Sequence, residues 1–327
     1  MKIPNACPLC GGDARFKITM PIDAKTFKPT EYGSIYECEV CTFRFVYPRP
    51  NDTNKFYELD AYYTQGATHF VQMPENGFLT RLRVHLAWRF DRSEMLPEVI
   101  RAELPNKGSI LDIGCGGGVL IRELSAQGFQ TAGVERDAEA LASTQMNVLE
   151  GSAERLPELP ISSFDGIVFS HVLEHLVDPV SAVREAAKLL KPGGRLFCEV
   201  PNNEAMIAHQ SNLSWEHLDI PRHINFFREK TLCKLVERAG LSVSRTYFSG
   251  YTRYFGESYI ATEQRIHDQL AAVGVTKSTR YSPARAWKLF TKTAMAPAMQ
   301  KYDSVGLVAI PGASAKPEAA VQAELAS

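Results

Sequence analysis

The run SILDIGCGGG at residues 109–118 constrains the fold of this chain more than any other stretch. Residues 109–113 have the short, mostly apolar character of a buried parallel strand. The glycines of GCGGG then supply a tight turn against which a ligand can lie close to the backbone. VLIRELSAQG (119–128) continues at helical spacing, with Val119, Leu120 and Leu124 apolar and Gly128 as the stop. Strand, glycine turn and helix N-terminus together make a nucleotide-type site.

The kind of nucleotide can be narrowed. GCGGG is not the spaced G-x-G-x-x-G of dinucleotide binders, and no G-K-[ST] follows to grip a phosphate. Asp112, just before the loop, would repel a pyrophosphate and attract a cation. These features favour a ligand with a positive centre and no phosphates, and S-adenosylmethionine (SAM), with its ammonium and sulfonium, is one.

Downstream, strand and helix patterns alternate, the signature of a parallel α/β sheet. TAGVE (131–135), a short segment around Val148, FDGIVFSH (164–171), RLFCEV (195–200), LSVSRTYF (241–248) and SVGLVAIP (304–311) read as strands. PVSAVREAAKLL (179–190) and KTLCKLVERAG (230–240) read as amphipathic helices, with KPGG breaking the first. Residues 77–104 read as helical, with Leu79, Leu82, Leu86, Phe90 and Leu96 apolar. The predicted organisation is a zinc-binding domain (1–50), a linker (51–76), an α/β domain (77–311) with a helical insertion (251–302), and a disordered tail (312–327).

Cys7-Pro-Leu-Cys10 and Cys38-Glu-Val-Cys41 are two C-x-x-C pairs. Each can turn as a knuckle presenting two thiolates, and two knuckles complete a tetrahedral, structural zinc site with no open position for catalysis. Cys115, Cys198 and Cys233 read as buried residues. The 36 basic and 37 acidic residues give a net charge of −1, with no broad basic field for nucleic acid. No apolar run approaches the roughly 18–20 residues of a membrane span. The opening MKIPNACPLC lacks the apolar core of a signal peptide. A cytoplasmic protein is expected.

The order and spacing of LDIGCGGG, Glu135, GSAERLP (151–157), FDGIVFSHVLEHLVDP (164–179) and LLKPGGRLFCEVPN (189–202) resemble those of class I SAM-dependent methyltransferases. That resemblance implies a Rossmann-like, mostly parallel seven-stranded sheet with helices on both faces, preceded by a small zinc-ribbon-like domain. It implies that Gly114 and Gly116 pack against the methionine part of SAM, and that Asp112 meets its ammonium. Glu135, 21 residues after Gly114, is placed for the ribose hydroxyls. Ser152 and Ala153 border the adenine, although relatives often carry Asp where Ser152 stands, and Ser170 closes the site.

With its knuckles, CTFRFVYPRP and FYELDAYYTQG, the chain is also similar to zinc-domain methyltransferases of bacterial sugar and natural-product pathways. Sugar C-methyltransferases of that type carry a further C-terminal domain. The length here argues against that particular assignment.

The acceptor site is expected at the carboxyl edge of the sheet. A base is needed only if the acceptor arrives protonated. In SHVLEHL, Glu174 and His175 resemble the E-H pair of ubiquinone-pathway O-methyltransferases, where such residues can hold a divalent cation. There an acid stands three residues before the Glu, where this chain has His171. His175 is therefore open to three readings: base or substrate contact, metal ligand, or loop scaffold. In SWEHLDIPRHINFF (214–227), His223 is a second candidate base, with helix capping as the alternative. Arg222 is a candidate for an acceptor carboxylate or phosphate, and Trp215 and Tyr63 for the acceptor itself. No D/N-P-P-[YFW] motif follows FDGIVFSH, which argues against amino-group methylation of adenine or glutamine. The leading expectation is O-methylation of a small molecule: a sugar, a lipid-linked compound or a secondary metabolite. An RNA methyltransferase and a non-catalytic SAM-binding scaffold are the alternatives.

Overall fold

The computed structural model describes residues 6–53, 56, 77–137, 140–141 and 146–312. The expected linker, apart from its first residues and Phe56, lies outside the described residues, as do Tyr57, Tyr62, Tyr63 and the tail beyond Gly312.

The chain opens with strands β1 (Ala14–Thr19), β2 (Ser34–Cys38) and β3 (Arg44–Val46). Helices α1 (Phe78–Phe90) and α2 (Leu96–Glu103) follow. The α/β part then runs β4 (Ser109–Ile113), α3 (Val119–Ala126), β5 (Gln130–Glu135), β6 (Val148–Glu150), β7 (Phe164–Ser170), α4 (Pro179–Ala187) and β8 (Leu190–Pro201). After α5 (Met206–Ser211) and a two-residue strand β9 (Asn225–Phe226) come α6 (Glu229–Arg238) and β10 (Leu241–Ser249). Helices α7 (Glu257–Ala272), α8 (Pro283–Thr293) and α9 (Ala298–Lys301) fill the stretch before β11 (Ser304–Pro311).

The main sheet has the order β6-β5-β4-β7-β8-β11-β10. β6, β5, β4, β7 and β8 pair in parallel, whereas β11 runs antiparallel to both β8 and β10. Side chains alternate across it, as the period of two requires. Leu111, Ile113, Ile167 and Phe169 pack with Val183 of α4 and Leu235 of α6. Ile110, Val168 and Phe197 pack on the other face with Val99 of α2 and Leu124 of α3. The chain leaves β4 for β5 on one side and returns to β7 on the other. Ligands of open α/β sheets bind in the crevice at such a reversal, beyond the carboxyl ends of the strands.

The N-terminal strands do not form a sheet by themselves. Its order is β1-β2-β3-β9, all antiparallel, so Asn225–Phe226 from the far side of the α/β part supplies the fourth strand. The zinc-domain boundary expected at residue 50 is therefore crossed by backbone hydrogen bonds. A separate core of Met20, Ile35, Val46, Trp215, Phe226 and Tyr254 lies beneath this junction.

Three local expectations are revised. Residues 77–104 form two helices, and α1 buries Thr80, Arg83 and Ala87 instead of its leucines. Leu79 is 65% exposed, because the helix is anchored by polar bonds, Arg83 Nε to the Phe255 carbonyl (2.8 Å) and Thr80 to Glu257 (2.5 Å). Val119 faces outward at the start of α3, and Ile121 takes its place in the core. KPGG does not separate helix from strand. It is a bulge inside β8: Leu190 pairs with Phe164 and Arg195 with Gly166, and Gly193 accommodates the slip at φ 82°.

Candidate active site

The glycine loop lies at the carboxyl end of β4. Gly114, Gly116 and Gly118 all have positive φ (77°, 50° and 72°), which only glycine adopts without strain. A Cβ on Gly114 would strike Val172 Cγ2 at 2.7 Å, whereas one on Gly116 would meet nothing within 4 Å. The bare backbone at 116 thus opens onto free space, and at 114 it admits the neighbouring loop.

Glu135 ends β5 next to this loop. Its Oε2 accepts from Gly116 N (2.7 Å), and its Oε1 from Arg136 N (2.8 Å) and Asp137 N (3.0 Å). Asp112 is buried, and its Oδ1 has no hydrogen-bond partner among the described residues. Burial, and then the charge of Glu135, push the Asp112 carboxyl up to about 7. A buried, unpartnered carboxylate beside an open glycine loop is a site for a cation. The ammonium of SAM fits it, and Glu135 keeps lone pairs for hydroxyls.

Ser152 and Ala153 occupy a turn after β6. The Ser152 hydroxyl accepts from Arg155 N (3.1 Å), and Ala153 is buried. Glu154 reaches across to the 173–178 loop, accepting from Val177 N (2.5 Å) and Asp178 N (3.0 Å). Ser170 is the last residue of β7, opposite Glu199 of β8.

Beyond β7 the structure gathers four histidines. His171 sits at φ 55° with Nδ1 3.4 Å from Glu174 Oε1 and Nε2 3.6 Å from Glu199 Oε1. Burial opposes its charge, but the two carboxylates outweigh it and raise the imidazole to about 9. His175 and His223 are buried and meet edge to face at 4.6 Å. His175 Nδ1 lies 3.2 Å from the Arg222 carbonyl, and His223 Nδ1 lies 2.7 Å from the His217 carbonyl. Burial lowers both to about 4, so both are neutral at pH 7. A base with so low a pKa is a weak one.

His217, in the same 214–227 segment, is the fourth. Its Nε2 is 3.5 Å from Asp303 Oδ2, its ring stacks on His171 at 6.4 Å, and Trp215 touches it edge-on at 5.5 Å. Asp303 is fully buried and held by Arg253 (2.5 and 2.9 Å). A partly exposed imidazole backed by a fixed carboxylate is the arrangement that orients a general base. The E-H pair in SWEHL was the available signal; the partner Asp303, 86 residues later, was not visible.

Arg222 has other partners than the acceptor anion expected for it. It is fully buried, and its guanidinium bonds Asp23 (2.8 and 3.1 Å) and Asp219 (2.9 and 3.1 Å). It braces the N-terminal region against the 214–227 loop.

Among the described residues two clusters could hold metal. Cys7, Cys10, Cys38 and Cys41 bring their sulfurs within 4.8 Å of one another. Two of the separations, 3.7 Å (Cys7–Cys41) and 3.4 Å (Cys10–Cys38), are close to the edge of about 3.8 Å for a tetrahedron with Zn–S of about 2.3 Å. Leu9 N and Cys41 N point at Cys7 and Cys38 sulfurs, both at 3.4 Å, as knuckle amides do. Glu174, His175 and His223 form the second group.

A family model described as a methyltransferase domain matches residues 87–246. That match takes in just under half of the chain, so residues 87–246 are similar to a methyltransferase domain. Similar curated proteins include the ubiquinone biosynthesis O-methyltransferase of Idiomarina loihiensis, 29% identical over 147 residues, which covers 40% of this chain and 60% of the relative. The protein of that name from Aeromonas salmonicida is 31% identical over 149 residues, 41% of this chain and 63% of the relative. The chain thus spans less than two thirds of these relatives. Among solved structures, a SAM-dependent methyltransferase from Thermotoga maritima, described as a possible histamine N-methyltransferase, aligns with TM-score 0.46 and 18% identity over 70% of this chain and 91% of that one. The matched stretch contains the glycine loop, Glu135 and the four histidines; residues 6–53 lie outside it.

Proposed function

We propose that the chain is a SAM-dependent methyltransferase that methylates an oxygen of a small-molecule acceptor. SAM, when bound, supplies an electrophilic methyl group on a sulfonium. The observation that carries the reading is Asp112, a buried carboxylate without a hydrogen-bond donor, two residues before an open glycine loop. Asp112 would hold the ammonium, Gly114 and Gly116 would admit the methionine part, and Glu135 would accept from the ribose. Ser152, Ala153 and Ser170 would border the rest.

On the acceptor side, His217 would take the hydroxyl proton on Nδ1, with Asp303 at Nε2 orienting the ring and stabilising the imidazolium that forms. His171, cationic at neutral pH with both ring nitrogens turned to Glu174 and Glu199, would face the acceptor as a fixed positive charge. His175 and His223, with their Nδ1 atoms on backbone carbonyls, would shape the pocket behind His217. Name similarity to ubiquinone O-methyltransferases supports oxygen as the methylated atom. Four cysteines in one cluster support a structural zinc, with every ligand position filled by protein. The test is formation of S-adenosylhomocysteine with phenolic and sugar acceptors. Parent activity that survives Glu135→Ala with unchanged SAM affinity would remove the cofactor assignment.

A further inference from the structure

A cavity of about 270 Å³ lies where the N-terminal sheet meets the segment after β8. Its polar lining is Lys17, Arg44, Asn203, His209 and Asn212, and Trp215 also borders it. At about 30 Å³ per water, it has room for roughly nine waters, more than a lone small ion requires.

The charge around it does not balance. Glu37 is the common partner of Arg15 (3.4 Å), Lys17 (3.2 Å), Arg44 (2.7 Å) and Arg228 (3.2 Å). Glu204 adds a second negative charge near Arg228 and His209. Four cations against two carboxylates leave two positive charges in excess; Arg15 is largely exposed, the other three are largely buried, and Lys17 and Arg44 line the cavity, whose lining holds no acid. The excess is felt by its neighbours: burial, and then the charge of Arg44, lower both His209 and Arg228. Ion pairing that served only to hold the sheet in place would not require this surplus, which is unfavourable away from water.

Two buried donors also lack acceptors. Trp215 Nε1 and Arg228 Nε have no hydrogen-bond partner among the described residues, and Trp215 is 2% exposed. Surplus cations, an unsatisfied indole N–H at the lining and a partly open cavity are together the chemistry of an oxyanion site. The site adjoins the catalytic edge, because the Trp215 ring that borders it touches His217 at 5.5 Å.

We infer that this cavity binds a doubly charged oxyanion, a phosphate ester, and that the group is carried by the methyl acceptor. The first half stands on the cavity itself; the second half rests on the methyl-transfer reading above. The acceptor would then be a phosphorylated small molecule, anchored at Lys17 and Arg44 with its reactive hydroxyl toward His217.

The experiment uses the full chain with Trp88→Phe and Trp287→Phe, so that Trp215 is the one indole. Fluorescence is titrated with inorganic phosphate and with methyl phosphate at constant ionic strength, and calorimetry on the unmutated chain repeats the titration. A saturable change is expected. Lys17→Gln and Arg44→Gln should each weaken it about tenfold, the loss of one charge-assisted contact. Lys188→Gln, an exposed lysine at the end of α4, should leave it unchanged. SAM affinity, measured in parallel, should be intact in all three, which shows that the fold survives. A signal that chloride reproduces, or phosphate binding indifferent to both cavity substitutions, overturns the inference. Phosphate binding without methyl transfer to any phosphorylated acceptor overturns its second half and leaves the anion site standing. SAM turnover without phosphate binding overturns the site and leaves the methyl-transfer reading standing.

Discussion

Asp112→Asn should make the protein more stable and a poorer binder of SAM. In the structure the Asp112 carboxylate is buried, unpartnered and close to the negative charge of Glu135. Those two causes raise it from the ordinary 3.8 to about 7. At about 1.36 kcal/mol per unit, ionised Asp112 costs the free folded state at most about 4 kcal/mol at pH 8. The sign follows from linkage. A carboxyl whose folded pKa is raised is penalised only when ionised. The penalty is absent below about 4, grows as pH rises and is constant above about 7. The amide removes the charge at the same size. Scanning fluorimetry should therefore show a melting temperature roughly 5–8 °C above the parent at pH 8, and less than half that gain at pH 5.

SAM binding should move the other way. Its ammonium would be what justifies the buried charge, and replacing a charge-assisted contact by a neutral one should weaken affinity about 10- to 100-fold by calorimetry. The reasoning is refuted if Asp112→Asn binds SAM as the parent does. It is refuted equally if the stability gain is missing at pH 8 or is the same at both pH values. Either outcome would mean that Asp112 is not a charge held in reserve for a cation.

Further outcomes follow from the site. His217→Asn and Asp303→Asn should each lower turnover about 100-fold or more with SAM affinity unchanged, measured as S-adenosylhomocysteine release; His223→Ala should act mainly through melting temperature. Arg253 and His217 overcome burial and hold the Asp303 carboxylate below its usual range. Its contribution to stability is thus present above about pH 4 and lost as pH falls further. Asp303→Asn should flatten the acid limb of a pH–melting curve between pH 5 and 3. Cys38→Ser should abolish stoichiometric zinc in elemental analysis and strip hydrogen-exchange protection from β3 and β9 together.

What the sequence made legible was local. The glycine turn, Glu135 and the alternation of strand and helix depend on near neighbours, and they appear in the structure where their spacing places them. What it concealed depends on distant partners. Arg222 looked available for an acceptor anion because Asp23, which occupies it, lies 199 residues away. His217 looks like one of several loop histidines because Asp303 arrives only after four helices. The leucines of α1 looked like a core face, but buried Arg83 and the carbonyl of Phe255 set the helix orientation. A polar anchor can override apolar periodicity where one fixed bond decides which side of a helix faces in.

Strand β9 gives the cysteine cluster a consequence for the reaction. The fourth strand of the N-terminal sheet begins two residues after His223. Its pairing with β3 (Arg44 with Phe226, Phe45 with Asn225) ties that loop to the strand that follows the Cys38–Cys41 knuckle. Arg49 tightens the same link, donating to the carbonyls of Leu176 (3.1 Å) and Val177 (2.8 Å) and to Asn225 Oδ1 (3.1 Å). Arg222 adds a buried ion pair to Asp23 in the N-terminal region. The loops that carry His175, His217 and His223 are therefore held from the N-terminal side as well as by the main sheet. Loss of metal from the knuckles should loosen that side first. Because Asp112, Gly116 and Glu135 are carried by the main sheet, at β4 and β5, and not by the N-terminal sheet, metal removal with a chelator should reduce turnover before it reduces SAM binding. Parallel loss of both would show instead that the two halves unfold as one unit.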